Sequence, residues 1–418
     1  MQRLPNELWA SVFAFFDLSD LTIVSQVAAH WRAVAFDQPL FWRDIGIDSL
    51  SQGYLYWSKL RIDAGFDRPL ALTVIIYDVD DNDRSTVTRE LFPIIASCIG
   101  RVRRLDVLVP GDLFATLCDA LTLPAPLLED FCLDLSPGGR RGLLLPTGIF
   151  NASPGVLRRV SLDTITLPGG CIPAFTTVTS LRLAVADDEW YEFPPHIFDI
   201  FPSTRDLYLY GGGVCCPRPL PRATLDRFAR LDFLDIGYPE SENIVIFLGL
   251  PSGEIHEIVA SHSDPRTVRA ALAQLDSEGG IHVTFVADQE DVRVVFQSAT
   301  TGRARAFTET AADFERGCYN AAFIIGEPGI AERIVSLRVP SSLWSTIHLG
   351  VPADNHISFL ILEMDETNGQ LPSAPLQCPK LCTLIVEAKE SIVTTMEQLF
   401  TLSAAVTEND LEIHRVVV

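Results

Sequence analysis

The chain opens with the spacing of helices and changes rhythm after about residue 45. Pro5 suits the start of a helix, where a backbone N–H has no intrahelical partner. Leu8, Val12, Phe15 and Phe16 follow at helical spacing and predict one apolar face. Asp17-Leu18-Ser19-Asp20 interrupts it, and Ser19 is the expected N-cap of a second helix. Leu21, Val24, Val27, Ala28, Trp31, Val34 and Ala35 continue the helical spacing, with a break near Ala28-Ala29-His30. Pro39 ends it, because a proline disfavours helix in the residue before it. The prediction is a trio of short helices.

Beyond Ile45 an apolar residue is followed, three and five positions later, by two more. The pattern stands at Val102-Leu105-Val107, Leu128-Phe131-Leu133, Leu157-Val160-Leu162 and Val178-Leu181-Leu183. It continues at Thr204-Leu207-Leu209, Leu231-Leu234-Ile236 and Ile255-Ile258-Ala260. After a gap it returns at Ile334-Leu337-Val339, Ile357-Leu360-Leu362 and Leu381-Leu384-Val386, while Leu70-Leu72-Val74-Ile76 reads as an irregular first member. Two apolar residues at alternate positions face one side of a strand, and the earlier one tucks in from the preceding turn. Arg89–Cys98 and Asp264–Asp276 fit connecting helices, and Cys215–Pro221 a Pro-rich loop. In the gap, about 279–310, residues 281–286, 292–296 and 303–307 read as an antiparallel meander with a hairpin at Ala299-Thr300-Thr301-Gly302. The spacing of the units resembles that of leucine-rich repeats, each giving one strand to a shared parallel sheet. An ordinary α/β domain with parallel strands is the alternative. The end, Ile413-His414-Arg415-Val416-Val417-Val418, has the spacing of one more strand with a bare apolar edge.

Leu4-Pro5-Asn6-Glu7, the apolar pair Val12-Phe13, Asp20-Leu21, Val27-Ala28-Ala29-His30-Trp31 and Leu40-Phe41-Trp42 together resemble the F-box. Phe16 stands where that family usually has Leu, and Ala28 where it often has Cys. The helix expected over Leu55–Ala64, followed by Pro69–Val74, is similar in layout to fungal F-box proteins with irregular repeats. The resemblance implies an α/β chain: a three-helix F-box over 1–47, then an irregular leucine-rich-repeat solenoid over 48–418 with a parallel sheet and the small antiparallel insertion. It implies docking on the Skp-type adaptor of a cullin-RING ubiquitin ligase through Leu4, Pro5, Leu8, Val12, Phe16, Leu21, Val27, Trp31 and Trp42. The repeats would hold a target protein, still unidentified. A scaffold that binds without driving degradation is the second reading, and an enzyme hidden in the repeats the third.

Composition narrows the partners. Fifty-four acidic residues against 32 basic ones give a net charge of −22, which repels nucleic acid and anionic lipid but suits a basic protein partner. Nine scattered cysteines suggest reduced thiols in the cytoplasm or nucleus. Glu7 and Asp17 interrupt any leader-like run, and no apolar stretch is long enough for a membrane helix.

No motif points to catalysis, a cofactor or a metal. Asp78–Asp83 alternates oxygens as a calcium loop does, but the sixth position is Asp83 where glycine is needed and the twelfth is Arg89 where glutamate is needed. Gly211-Gly212-Gly213 lacks a following Lys-Ser/Thr pair, and Cys378 and Cys382 lack a second ligand pair. His256, His262 and Asp264 lack a nucleophile elbow, and Asn151-Ala152-Ser153 matches a glycosylation acceptor without a secretory signal. Trp31 and Trp42 belong to the F-box core pattern; Trp57, Trp190 and Trp344 are read as core residues or as anchors for a bound protein.

Overall fold

A computed structural model of the chain describes residues 5–77, 79–136, 142–152, 155–184, 190–211, 213–215, 220–237, 254–261, 265–275, 278–288, 290–311, 324–348, 350–364, 376–388 and 406. Two units are distinguished: Met1–Ala186 with Pro194–Asp206, and Asp187–Phe193 with Leu207–Val418. The fold is mixed α/β, with helices at the N-terminus and mostly parallel strands after them.

The first unit starts with α1 (Asn6–Phe13), α2 (Leu18–Val27), α3 (Ala29–Asp37) and the single turn α4 (Pro39–Trp42). Asp17, not Ser19, caps α2: its carboxylate accepts from the Asp20 amide at 2.8 Å, and Ser19 already lies inside the helix. Ala28 adopts an extended conformation (φ −153°, ψ 151°) and makes the expected break between α2 and α3. Pro39 does more than end α3. It occupies the first turn of α4, where its fixed φ fits and no donor is lost.

The chain then enters a parallel sheet at once. β1 (Asp44–Ile47) pairs with β2 (Leu70–Ile75), and α5 (Gln52–Ala64) connects them. β3 (Val102–Pro110), β4 (Asp130–Ser136), β5 (Arg159–Asp163) and β6 (Ser180–Ala184) follow, each parallel to the strand before it. The ladder places Leu72, Leu105, Phe131, Val160 and Leu181 in one row, and Val74, Val107, Leu133, Leu162 and Leu183 in the next. All ten are buried, so the apolar pattern marks the covered face of the sheet. α6 (Asp81–Thr86) runs through a π-helical turn at Val87–Leu91 into α7 (Phe92–Cys98), where the sequence predicts one plain helix. Between β4 and β5, Phe150, Asn151 and Ala152 are all left-handed (φ 54°, 56° and 50°). The turn drives the Phe150 ring edge-on to Phe131 at 5.1 Å in the core.

The helices are fastened to this sheet by Arg61 of α5, which is buried. Its guanidinium donates to the carbonyls of Phe41 at 2.6 Å, Asp44 at 2.8 Å and Leu40 at 3.4 Å. The Leu40 and Phe41 carbonyls lie at the C-terminal end of α4, which has no further turn to satisfy them, and the Asp44 carbonyl begins β1. Arg68 adds an ion pair to Asp37 at 2.5 Å and lies over the Trp42 ring at 5.0 Å.

In the second unit the strands are β7 (Asp206–Tyr210), β8 (Phe233–Ile236), β9 (Glu257–Ser261), β10 (Ile281–Ala287), β11 (Asp291–Ser298), β12 (Ala304–Thr310), β13 (Ile334–Pro340), β14 (Phe359–Met364) and β15 (Thr383–Ala388). Their order is β7-β8-β9-β12-β11-β10-β13-β14-β15. The expected meander is thus present, but it is set inside the sheet. β12 lies parallel to β9, β11 is antiparallel to both its neighbours, and β10 lies parallel to β13. The hairpin sits where the sequence places it, with Ser298 Oγ accepting from the Thr300 and Thr301 amides and Gly302 at φ +73°. The helix expected over Asp264–Asp276 is α8 (Pro265–Ala273). The strand expected at Ile413–Val418 lies outside the described residues, and no helix among those described is long and apolar enough to cross a membrane.

Two outcomes test this account. Arg61→Met should lower the stability of the first unit by about 3 kcal/mol in urea denaturation, because one buried and two partly buried carbonyls lose a charged donor. Ala152→Gly should raise it by about 0.5 kcal/mol, since relief of left-handed strain outweighs the added freedom of the unfolded chain.

Candidate protein-docking surface

α1 carries two apolar stripes, one residue out of step. Trp9, Phe13 and Phe16 form one; Leu8, Val12 and Phe15 form the other. The structure turns the aromatic stripe inward. Phe13 is buried with Leu21, Val34, Ala35, Phe41 and Trp42, while Trp9, Phe16 and Trp31 pack against them partly exposed. Trp9 and Trp31 meet at 4.7 Å, and Phe13 meets Trp31 edge-on at 6.0 Å. Gln38 spans the helices, its amide donating to the carbonyls of Ala10 and Val34 at 3.4 and 3.5 Å. Arg32 donates to Ser25 O at 2.9 Å and ties α3 to α2.

The other stripe faces solvent. Leu8 is 51% exposed, Val12 44% and Phe15 91%. Pro5 is exposed at its upper end. Ile23 and Val27, one turn apart on α2, are 60% and 62% exposed, and Leu40 on α4 is 45% exposed. So many large apolar side chains on four short helices are more than a monomer's surface needs, and such a surface suits another protein.

Leu8 and Val12, expected among the adaptor contacts, lie on the surface. Leu21 and Trp42 were expected at the docking site and are buried in the domain's own core, Leu21 fully and Trp42 at 8% exposure. They shape the surface from below. Of the remaining expected contacts, Pro5 and Val27 are exposed, Phe16 and Trp31 half-buried, and Leu4 lies outside the described residues. Phe15, Ile23 and Leu40 were absent from the expected contacts. The i, i+4, i+7 spacing from Leu8 to Phe15 was the signal for the first of them.

The other candidates dissolve into structure. Asp80 caps α6 by accepting from the Asp83 amide at 2.8 Å, and Asp78 lies outside the described residues. Gly213 to Cys215 is a short strand beside Trp190–Glu192, whose side chains lie outside what is described, as do Gly212, His262, Asp264 and Ser153. Cys378 is buried, its thiol pushed up to about 12 by desolvation, and Cys382 is exposed. No group of three or more metal-ligating side chains occurs among the described residues. Trp344 is a core residue, and Trp57 packs edge-on against Phe41 at 5.3 Å under the helices.

No curated protein matches the chain significantly. Residues 1–48, which hold α1 to α4 and β1, match the F-box-like family model.

Proposed function

We propose that this protein is a substrate-receptor subunit of an SCF-type cullin-RING ubiquitin ligase. The observation that carries the reading is the coincidence of the F-box-like match with the exposed stripe Leu8-Val12-Phe15. F-box proteins are typically adaptors, and their partner is a Skp-type protein. The docking contacts proposed are Pro5, Leu8, Val12 and Val27 with Leu4, joined by Phe15, Ile23 and Leu40 and edged by Phe16 and Trp31. Leu21 and Trp42 support them from within.

The strands that follow are proposed to be an irregular leucine-rich-repeat solenoid over 48–418 that holds the target. Parallel strands, their buried positions aligned from β2 to β6, support this reading. Catalysis then belongs to the ligase, and this chain contributes proximity and orientation. The proposed setting is the cytoplasm or nucleus.

Replacing Leu8 and Val12 together by Asp should weaken binding of a Skp-type adaptor by 100-fold or more, about 3 kcal/mol, in calorimetric titration, while the melting curve stays in place. Unchanged affinity would remove the stripe from the interface. In cells, the chain with Leu8→Asp and Val12→Asp should still capture the target that the full chain captures. That target should then persist, whereas the full chain shortens its lifetime in a proteasome-dependent way. A target equally stable with both chains would favour the non-degradative scaffold.

A further inference from the structure

The open face of the first unit's sheet has an ordered pattern of its own. β1 to β6 expose alternate residues opposite the buried rows. In register, Ile75 of β2 lies beside Leu108 of β3, Asp134 of β4, Asp163 of β5 and Ala184 of β6. All five are half-buried. Because Ile47 pairs with Val74, the next residue, Asp48, continues this row beyond Ile75. At that end the surface dips into an open cavity of about 440 Å³, lined by Asp48, Leu50, Ser51, Ile75, Ile76, Tyr77 and Asp83. Tyr77 is 63% exposed at its rim. The row therefore reads acidic, apolar, apolar, acidic, acidic.

Three carboxylates of this face, Asp48, Asp83 and Asp134, make no ion pair among the described residues. Elsewhere on the unit acids are paired: Asp130 with Arg159 at 2.5 Å and Glu129 with Arg103 at 2.7 Å. Asp106 and Asp134 sit diagonally on adjacent strands. Burial and the charge of Asp106 push the Asp134 carboxyl above the usual range, and Arg182 only partly offsets them. Burial, then a hydrogen bond to Asp48 and its charge, likewise push the Tyr54 hydroxyl up. A cation brought to Asp48 and Asp83, or to Asp134, would relieve negative charge there.

Resting on the receptor reading, we propose that this face is the target site and that its occupant is an extended protein segment with two basic residues four apart around an apolar one. One basic side chain enters the cavity between Asp48 and Asp83, its stem along Leu50 and Ile75. The apolar residue lies over Ile75 and Leu108. The second basic side chain reaches Asp134. The spacing follows from the sheet: Asp48 and Asp134 are three strands apart, ~14 Å, and four residues of extended chain span ~13 Å.

The test uses the full chain bound to its adaptor and a fluorescein-labelled peptide, Gly-Lys-Ser-Leu-Ser-Lys-Gly, in low-salt buffer. It should bind about fivefold tighter than the same peptide with both lysines acetylated, and than Gly-Lys-Leu-Lys-Ser-Ser-Gly, whose lysines are two apart. Asp48→Asn with Asp83→Asn should cost about fivefold, and Asp134→Asn about threefold. Glu290→Gln, an exposed site in the second unit, should leave affinity unchanged. Equal losses in all variants would reduce the effect to net charge and overturn the site. So would no loss in the Asn variants, if their melting curves and adaptor affinity match the parent chain. Failure of the receptor reading is read separately, as absent adaptor binding in the unsubstituted chain.

Discussion

The fastening of α4 to the sheet is the constraint from which the rest of the first unit follows. A helix of one turn cannot satisfy its own last carbonyls, and that of Phe41 is buried. Arg61 supplies the donors from the side, and burial lowers its pKa, which still leaves it protonated at neutral pH. Two residues beyond α4 the chain is already β1, paired in register with β2. No flexible linker separates the docking helices from the sheet. The direction in which the exposed stripe points is therefore tied to the direction in which the first strands run.

On the proposed receptor reading, that tie has a functional meaning. A ligase that works by proximity gains only if its receptor holds the target in a fixed relation to the adaptor. A loosely hinged receptor would lower the effective concentration of target lysines at the transfer site. The buried Arg61 limits that freedom within the first unit, the desolvation of its guanidinium being offset by three carbonyl acceptors.

The sheet was legible in the sequence because its signal is redundant. Each strand carries two alternate apolar residues and a third from the preceding turn, and all of these positions are buried in both units. The helices were less legible. α1 is apolar on two adjacent stripes, so periodicity alone cannot choose between Trp9-Phe13-Phe16 and Leu8-Val12-Phe15. Volume decides: the core takes the larger aromatic rings and leaves the smaller aliphatic ones, with Phe15, to the surface. The cap of α2 moved two residues, from Ser19 to Asp17, for a similar reason, since both are good caps and only backbone geometry separates them. The three left-handed residues at Phe150–Ala152 had no sequence signal beyond Asn151.

The meander shows how far a parallel array can bend its own rule. Its three strands were recognisable by alternation, yet alternation says nothing about which neighbours they take. β12 returns beside β9 and β10 beside β13, so the antiparallel pairings stay internal and both outer strands present the direction the array needs. An odd number of strands is required for this; two would leave one outer strand reversed. The exchange has a local cost at Arg305, which falls in register with the core residue Ile258 and is fully buried. Its guanidinium donates to the carbonyls of Ala304 and Ile255, and burial pushes its pKa down to about 10. A charged side chain survives there because backbone carbonyls solvate it, the same solution that Arg61 provides under the docking helices. In both places an arginine stands at the join between two kinds of structure, where carbonyls from one element lack partners in the next.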